Sequence, residues 1–239
     1  MSGHSKWSTI KRKKGAADAK RGVIFTRLSK DITLAAKDGG GNQEMNPALR
    51  LAVKKAKSVN MPAANIDRAI KKGTGELPGV KFENCVYEGY GPSSVAILIE
   101  VMTDNKNRTF PEIRNIMSKN NGNLGASGCV NWMFEKKGTV VIENKSISED
   151  ELMNLIGDLE IEDINFEDTY YEIFIKSEFF SKLSDTLEKK GILFDGEISL
   201  VPNNTVKVED SEAQKIINLL ELLDNHDDVQ KVHSNFEIS

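Results

Sequence analysis

Histidine and cysteine are scarce in this chain. Of its 239 residues three are histidines, His4, His226 and His233, and two are cysteines, Cys85 and Cys129. None stands at the spacing of a metal site, and Cys85 and Cys129, in apolar, strand-like surroundings without a CxxC partner, read as reduced and buried small hydrophobes. The sequence has no phosphate loop of the Walker type, no HExxH zinc motif and no GxSxG nucleophile elbow. Gly89-Tyr90-Gly91-Pro92 resembles part of a phosphate loop but runs into a strand, where a dinucleotide loop would open a helix, and is read as a turn. Catalysis, a cofactor, a metal and a small-molecule substrate are therefore not expected. Long apolar runs are missing too. Val95-Ala96-Ile97-Leu98-Ile99 stops at Glu100, well short of the roughly 18 residues of a membrane helix. Ser, His, Lys and Trp occupy the start, where a secretory signal has an apolar stretch, so the cytoplasm is the expected compartment and no membrane the expected partner.

What is present is charge, unevenly placed. The whole chain carries a formal net charge of −4. Residues 1–76 hold 17 Lys and Arg against 6 Asp and Glu, and the remainder holds 15 against 30. Such asymmetry points to a nucleic-acid-facing segment joined to a part with other work. Periodicity separates a folded basic surface from a tail, and it is clear here. Ile24, Leu28, Ile32 and Ala35 trace a helical stripe that Gly39-Gly40-Gly41 ends. Asn46-Pro47 is an N-cap and first-turn pair, followed by Leu49, Ala52, Val53 and Ala56 at i, i+3, i+4 and i+7. A third short helix follows Met61-Pro62, with Ile66 and Ile70 inward and Gly73 as its stop. Residues 1–76 thus read as a basic helical domain.

The outward faces carry Arg50, Lys54 and Lys57 on the second helix and Arg68, Lys71 and Lys72 on the third, preceded by Lys6, Lys11, Arg12, Lys13, Lys14, Lys20, Arg21 and Arg27. One such stripe is an ordinary solvated face. Several of one sign, with few acids between them, repel one another unless a polyanion neutralises them. Nucleic acid is the expected partner, and these residues its expected contacts. Trp7 and Phe25 have the chemistry to stack on bases, but an aromatic beside an amphipathic helix is read first as core.

Beyond Leu77 strand-like runs alternate with helices. Val86 to Tyr90 and Val95 to Met102 read as strands, the stretch Thr103 to Asn107 as a polar turn, and Pro111 to Lys119 as a helix. Strands Val130 to Phe134 and Thr139 to Ile142 are expected around a Lys136-Lys137-Gly138 turn. Helix Glu149 to Leu159, strand Tyr170 to Ile175, helix Phe179 to Lys190, strand Gly196 to Val201, helix Ser211 to Leu223 and strand Val229 to Phe236 follow. The fold class is α+β, a helical bundle followed by two ferredoxin-like units. Val201-Pro202-Asn203-Asn204 is read as a junction. Nine acids and no base lie between Glu149 and Asp168. They lack the alternation of a calcium loop and read as a solvated acidic face that repels nucleic acid. An enzyme or small-molecule sensor with its pocket between the α+β units is the competing class, and it lacks a His, Cys or Ser constellation.

The opening Gly3-His4-Ser5-Lys6-Trp7 is followed in order by Asp18 to Gly22, Ile24-Phe25-Thr26, Asn60-Met61-Pro62, Arg68-Ala69-Ile70, Tyr87 to Pro92, Thr103-Asp104-Asn105, Asn107-Arg108-Thr109, Gly122 to Gly125 and Asn235-Phe236. In these motifs, the opening one being similar to the family's entry motif, the chain resembles the YebC/PmpR family of probable transcriptional regulators. Ser93-Ser94 stands where the family usually has a glycine pair, and Pro111 where a helix former is commoner. The resemblance implies three domains, residues 1–76, residues 77–135 with 203–239, and an inserted 136–202. It also implies DNA-binding regulation for some members, activation of translation at the ribosome for others, and no catalysis. The partner is accordingly DNA, or ribosomal RNA and the ribosome. No recognition helix aims Asn, Gln and Arg at base edges. The stretches with Asn105, Lys106, Asn107 and Arg108, and with Gly122, Asn123 and Gly125, read as loops suited to irregular RNA.

Overall fold

The helical periodicity of the first third becomes three packed helices. In the computed structural model, which describes residues 21–78, 82–167 and 169–238, α1 spans Arg21–Gly39, α2 Pro47–Ser58 and α3 Ala63–Gly73. Asn46 joins the first two. Its side-chain oxygen accepts from the Leu49 amide while its Nδ2 donates to the carbonyls of Ala35 and Gly40 at 2.7 and 2.8 Å, so one residue caps α2 and ties down the end of α1. Ile32, Ala36, Leu49, Val53, Ala56, Ile66 and Ala69 form the core between the helices. Burying each of the larger ones contributes about 1.5–3 kcal/mol. Leu28, Ala35, Ile70 and Phe25 pack at its edge.

Two compact units organise the described residues: one is Trp132–Thr205, and the other joins residues 21–131 to the stretch from Val206 onward. In the second of these, β1 (Glu83–Tyr90), β2 (Ala96–Thr103), β3 (Asn123–Leu124) and β9 (Val229–Ser234) form an antiparallel sheet in the order β3-β1-β2-β9. α4 (Lys106–Lys119) and α7 (Asp210–Asp224) cover it, burying Ile97, Ile99 and Val101 against Ile113, Met117, Leu219 and Leu220. The final turns add a parallel pair, β8 (Val206–Val208) with β10 (Phe236–Ile238).

The other unit runs β4 (Phe134–Glu143), α5 (Glu149–Ile156), β5 (Ile161–Phe166), β6 (Tyr170–Lys176), α6 (Phe180–Lys189) and β7 (Asp195–Pro202), with strand order β5-β6-β4-β7. That is the chain order of a ferredoxin-like fold. The first sheet has the same four antiparallel strands and two helices but opens with the β1–β2 hairpin. The architecture is multidomain α+β.

Several local expectations are corrected. The Lys136-Lys137-Gly138 turn does not form. Those residues continue β4, paired to both β6 and β7. Lys137 pairs with Glu162 at 2.7 Å, and Gly138 leaves the space that the Phe180 ring occupies, since a Cβ there would lie 2.7 Å from it. Strand Val130 to Phe134 is replaced by a single turn, Asn131–Met133, because the Glu88 carboxylate takes the amides of Val130 and Asn131 at 2.9 and 2.8 Å. The polar turn ending at Asn107 is instead the start of α4. Asn105 caps it by accepting from the Arg108 amide, and Pro111 lies within the helix. The acidic stretch contains β5, whose Ile161 and Ile164 pack on the core beneath. Strand Val229 to Phe236 breaks at Asn235, whose side chain accepts from the Ala96 amide at 2.8 Å.

Candidate nucleic-acid interface

The predicted basic contacts separate into two kinds. On α2, Arg50, Lys54 and Lys57 recur at i, i+4 and i+7 and are exposed, and on α3 Arg68, Lys71 and Lys72 are exposed as well. The inward residues of each helix fix this: with Leu49, Val53 and Ala56 buried, the stripe carrying the lysines must face out. Among the described residues the Arg50 guanidinium donates to the carbonyls of Gln43 and Glu44, at 3.4 and 3.3 Å. Lys54, Lys57, Arg68, Lys71 and Lys72 form no ion pair among the described residues. No carboxylate of the described residues neutralises their charge.

Other cations are structural. Arg27 turns inward to Asp224 at 3.5 Å. Lys30, which sequence periodicity did not single out, is buried in the middle of α1 and its ammonium donates to Asp228 at 2.7 Å, to the Asp227 carbonyl at 2.9 Å and to the Met102 carbonyl at 3.0 Å. Asp228 also accepts from Arg108 at 2.6 Å, Thr109 at 2.7 Å and Thr103 at 3.1 Å. Burial pushes the Asp228 carboxyl up, but its hydrogen bonds from Lys30, Thr109 and Arg108 outweigh that and hold it well below the usual carboxylate range. This cluster fastens α1 to the end of β2 and the start of β9. A lysine in a helix pattern signals a solvated position, so only the tertiary fold could show it.

The predicted loop residues are less available than the sequence implied. Asn105 is spent as a cap, Lys106 pairs with Glu83 at 2.7 Å, and Arg108 is shared between Asp228 and Asp104. Asn107 is exposed in the first turn of α4. Asn123 pairs with Tyr90 in β3, Gly122 donates to the Met117 carbonyl, and the Gly125 amide donates to the Glu88 carbonyl at 2.8 Å. The segment after it is held by the Glu88 side chain, which accepts three backbone amides from Gly128, Val130 and Asn131. Burial acts to raise that carboxyl, and the three amides bring it below its ordinary range. Lys6, Lys11, Arg12, Lys13, Lys14, Lys20 and Trp7 lie outside the described residues, and Arg21 begins α1.

Two recesses flank α1. One, of about 570 Å³, is lined by Arg27, Asp31, Lys55, Glu100 and Lys231 among others. Its mixed signs select no single ligand charge. The other, of about 370 Å³, lies between α1 and α3. Among the described residues no cluster of three or more His, Cys, Asp or Glu could hold a metal, and no helix is long and apolar enough to cross a membrane.

The described residues thus form a multidomain α+β protein with a basic helical surface. Residues 5–76 match the TACO1/YebC protein N-terminal domain and residues 82–236 the TACO1/YebC second and third domain, and the chain belongs to this family. It is similar to proteins named "Probable transcriptional regulatory protein" from Desulfotalea psychrophila, 55% identical, and Syntrophus aciditrophicus, 53% identical, each match covering 100% of this chain and 96% of the relative. A crystal structure of a conserved hypothetical protein from Aquifex aeolicus resembles it with a TM-score of 0.82 at 45% identity, over 93% of this chain and 92% of that one.

Proposed function

We propose that the protein is a transcriptional regulator that acts by binding DNA through the exposed cations of α2 and α3. The observation that carries this reading is the pair of stripes, Arg50, Lys54 and Lys57 with Arg68, Lys71 and Lys72, exposed and without an ion pair among the described residues, while Arg27 and Lys30 of α1 are consumed in structure. The relatives' names give the regulatory class. Phosphate contacts from such side chains position a protein without reading sequence, so the helical part supplies affinity.

A second reading, binding to ribosomal RNA as a translation factor, has its own support. Lys and Arg dominate the outward polar residues of α2 and α3, and the amides that read base edges in a major groove are not arrayed there. The discriminating experiment has two arms. A DNA regulator prefers one promoter over random duplex by about 10³-fold or more at physiological salt. A ribosomal factor shows a ratio near one and co-sediments with ribosomes in a sucrose gradient of lysate, an association that nuclease treatment abolishes.

A further inference from the structure

The smaller recess differs in character from an open basic face. Phe25, Ser29, Asn65, Arg68, Lys72 and Phe82 are among the residues that line it. Arg68 and Lys72 stand exposed at its rim, while Phe25, Ser29, Asn65 and Phe82 are half-buried within it. Three kinds of chemistry thus meet in a space of about 370 Å³: two cations without an ion pair among the described residues, a hydroxyl and an amide, and two aromatic side chains. The volume lies in the range of clefts that hold one small ligand, roughly 300–1,000 Å³. It suits one nucleotide and is too small for the body of a duplex.

The recess is also fixed in shape. Lys30 sits 5.6 Å from the centre of the Phe82 ring, and its own ammonium is held by three oxygens, so the residue behind the ring is anchored. Phe25 packs on the edge of the helical core. A phosphate-only surface needs neither aromatic lining nor a recess.

Resting on the nucleic-acid reading above, we propose that the groove between α1 and α3 takes a single unpaired nucleotide from a bulged or single-stranded segment. The base lies against Phe25 and Phe82, its polar edge meets Asn65 and Ser29, and the flanking phosphates meet Arg68 and Lys72. Stacking on aromatic side chains tolerates any base, so the site selects for an unpaired base and not for its identity.

The test uses the full chain and three RNA hairpins of one stem: one with a single bulged adenosine, one with an abasic residue at the bulge, and one fully paired. The bulged hairpin is expected to bind about tenfold or more tighter than the other two, the scale of one stacked base. Ser29→Phe, which fills the groove, should remove that preference and leave affinity for the paired hairpin unchanged. A second readout does not depend on that variant folding: with 2-aminopurine as the bulged base, its fluorescence should change on binding to the unaltered protein. Equal affinity for all three hairpins, or unchanged 2-aminopurine fluorescence in a bound complex, overturns the groove while leaving phosphate binding in place. Failure of every hairpin to bind overturns the groove, and only if a DNA duplex of the same length also fails to bind is the nucleic-acid reading overturned with it.

Discussion

Asp228 meets two cations and two hydroxyls, and its neighbours are chosen so that each would suffer without it. Lys30 is buried, and removing the carboxylate leaves an ammonium out of water with only two carbonyls. Asp228→Ala should therefore lower stability by about 3–5 kcal/mol in urea unfolding, the scale of a broken buried pair. The pH dependence has a definite sign. The folded-state pKa of Asp228 is lowered from 3.8, so the stabilisation is complete above the unfolded value and is lost as pH falls through the folded one. Unfolding midpoints measured from about pH 6 to about pH 3 should drop in the native protein and drop less in Asp228→Asn. An Asp228→Asn profile parallel to the native one would show that other carboxylates govern the acid limb.

At the scale of elements, α1 and α3 pack closely at Gly73. A Cβ there would fall on the Thr33 carbonyl and lie 2.7 Å from the Ala36 Cβ. Gly73→Ala gains helix propensity but forces two packed helices apart, and the net expectation is a loss of about 1–2 kcal/mol. Gly22, in α1 with open space around it, should respond oppositely, Gly22→Ala gaining about 0.5–1 kcal/mol. Thermal melts of the two variants check both signs. The helices themselves were legible in the sequence because caps, glycine stops and apolar steps agree, as at Asn46, Pro47 and Leu49. The sheet region was less so. Gly138 reads as a turn signal, whereas its lack of a side chain serves the packing of Phe180. β5 was hidden by its charges, because Glu162 and Asp163 interrupt the apolar alternation while Glu162 is neutralised by Lys137 on β4, two strands across the sheet. The exposed stripes of α2 and α3 were readable, but the reassignment of Lys106 and Arg108 to internal ion pairs depends on partners far along the chain, at Glu83 and Asp228. Ser93 and Ser94, which replace a glycine pair in the family resemblance, both take φ near +57°, at 56° and 58°. The turn keeps a backbone shape that favours glycine without having it.

For the whole molecule, a net charge of −4 conceals a first third with 17 basic and 6 acidic residues. The structure adds which of the described cations are exposed on these helices: the six of the two stripes, with Lys55 beside them on α2. If these six engage phosphates, affinity for duplex DNA falls with salt at a log–log slope near −5, because each neutralised phosphate releases about 0.9 counterion. The decisive experiment is a salt titration of binding by the native protein beside the variant Lys54→Ala, Lys57→Ala, Lys71→Ala, Lys72→Ala. The account predicts that the variant binds every sequence more weakly and that its slope is shallower by about 3 to 4. A variant that retains the native affinity and slope would contradict it and place the contacts elsewhere on the chain.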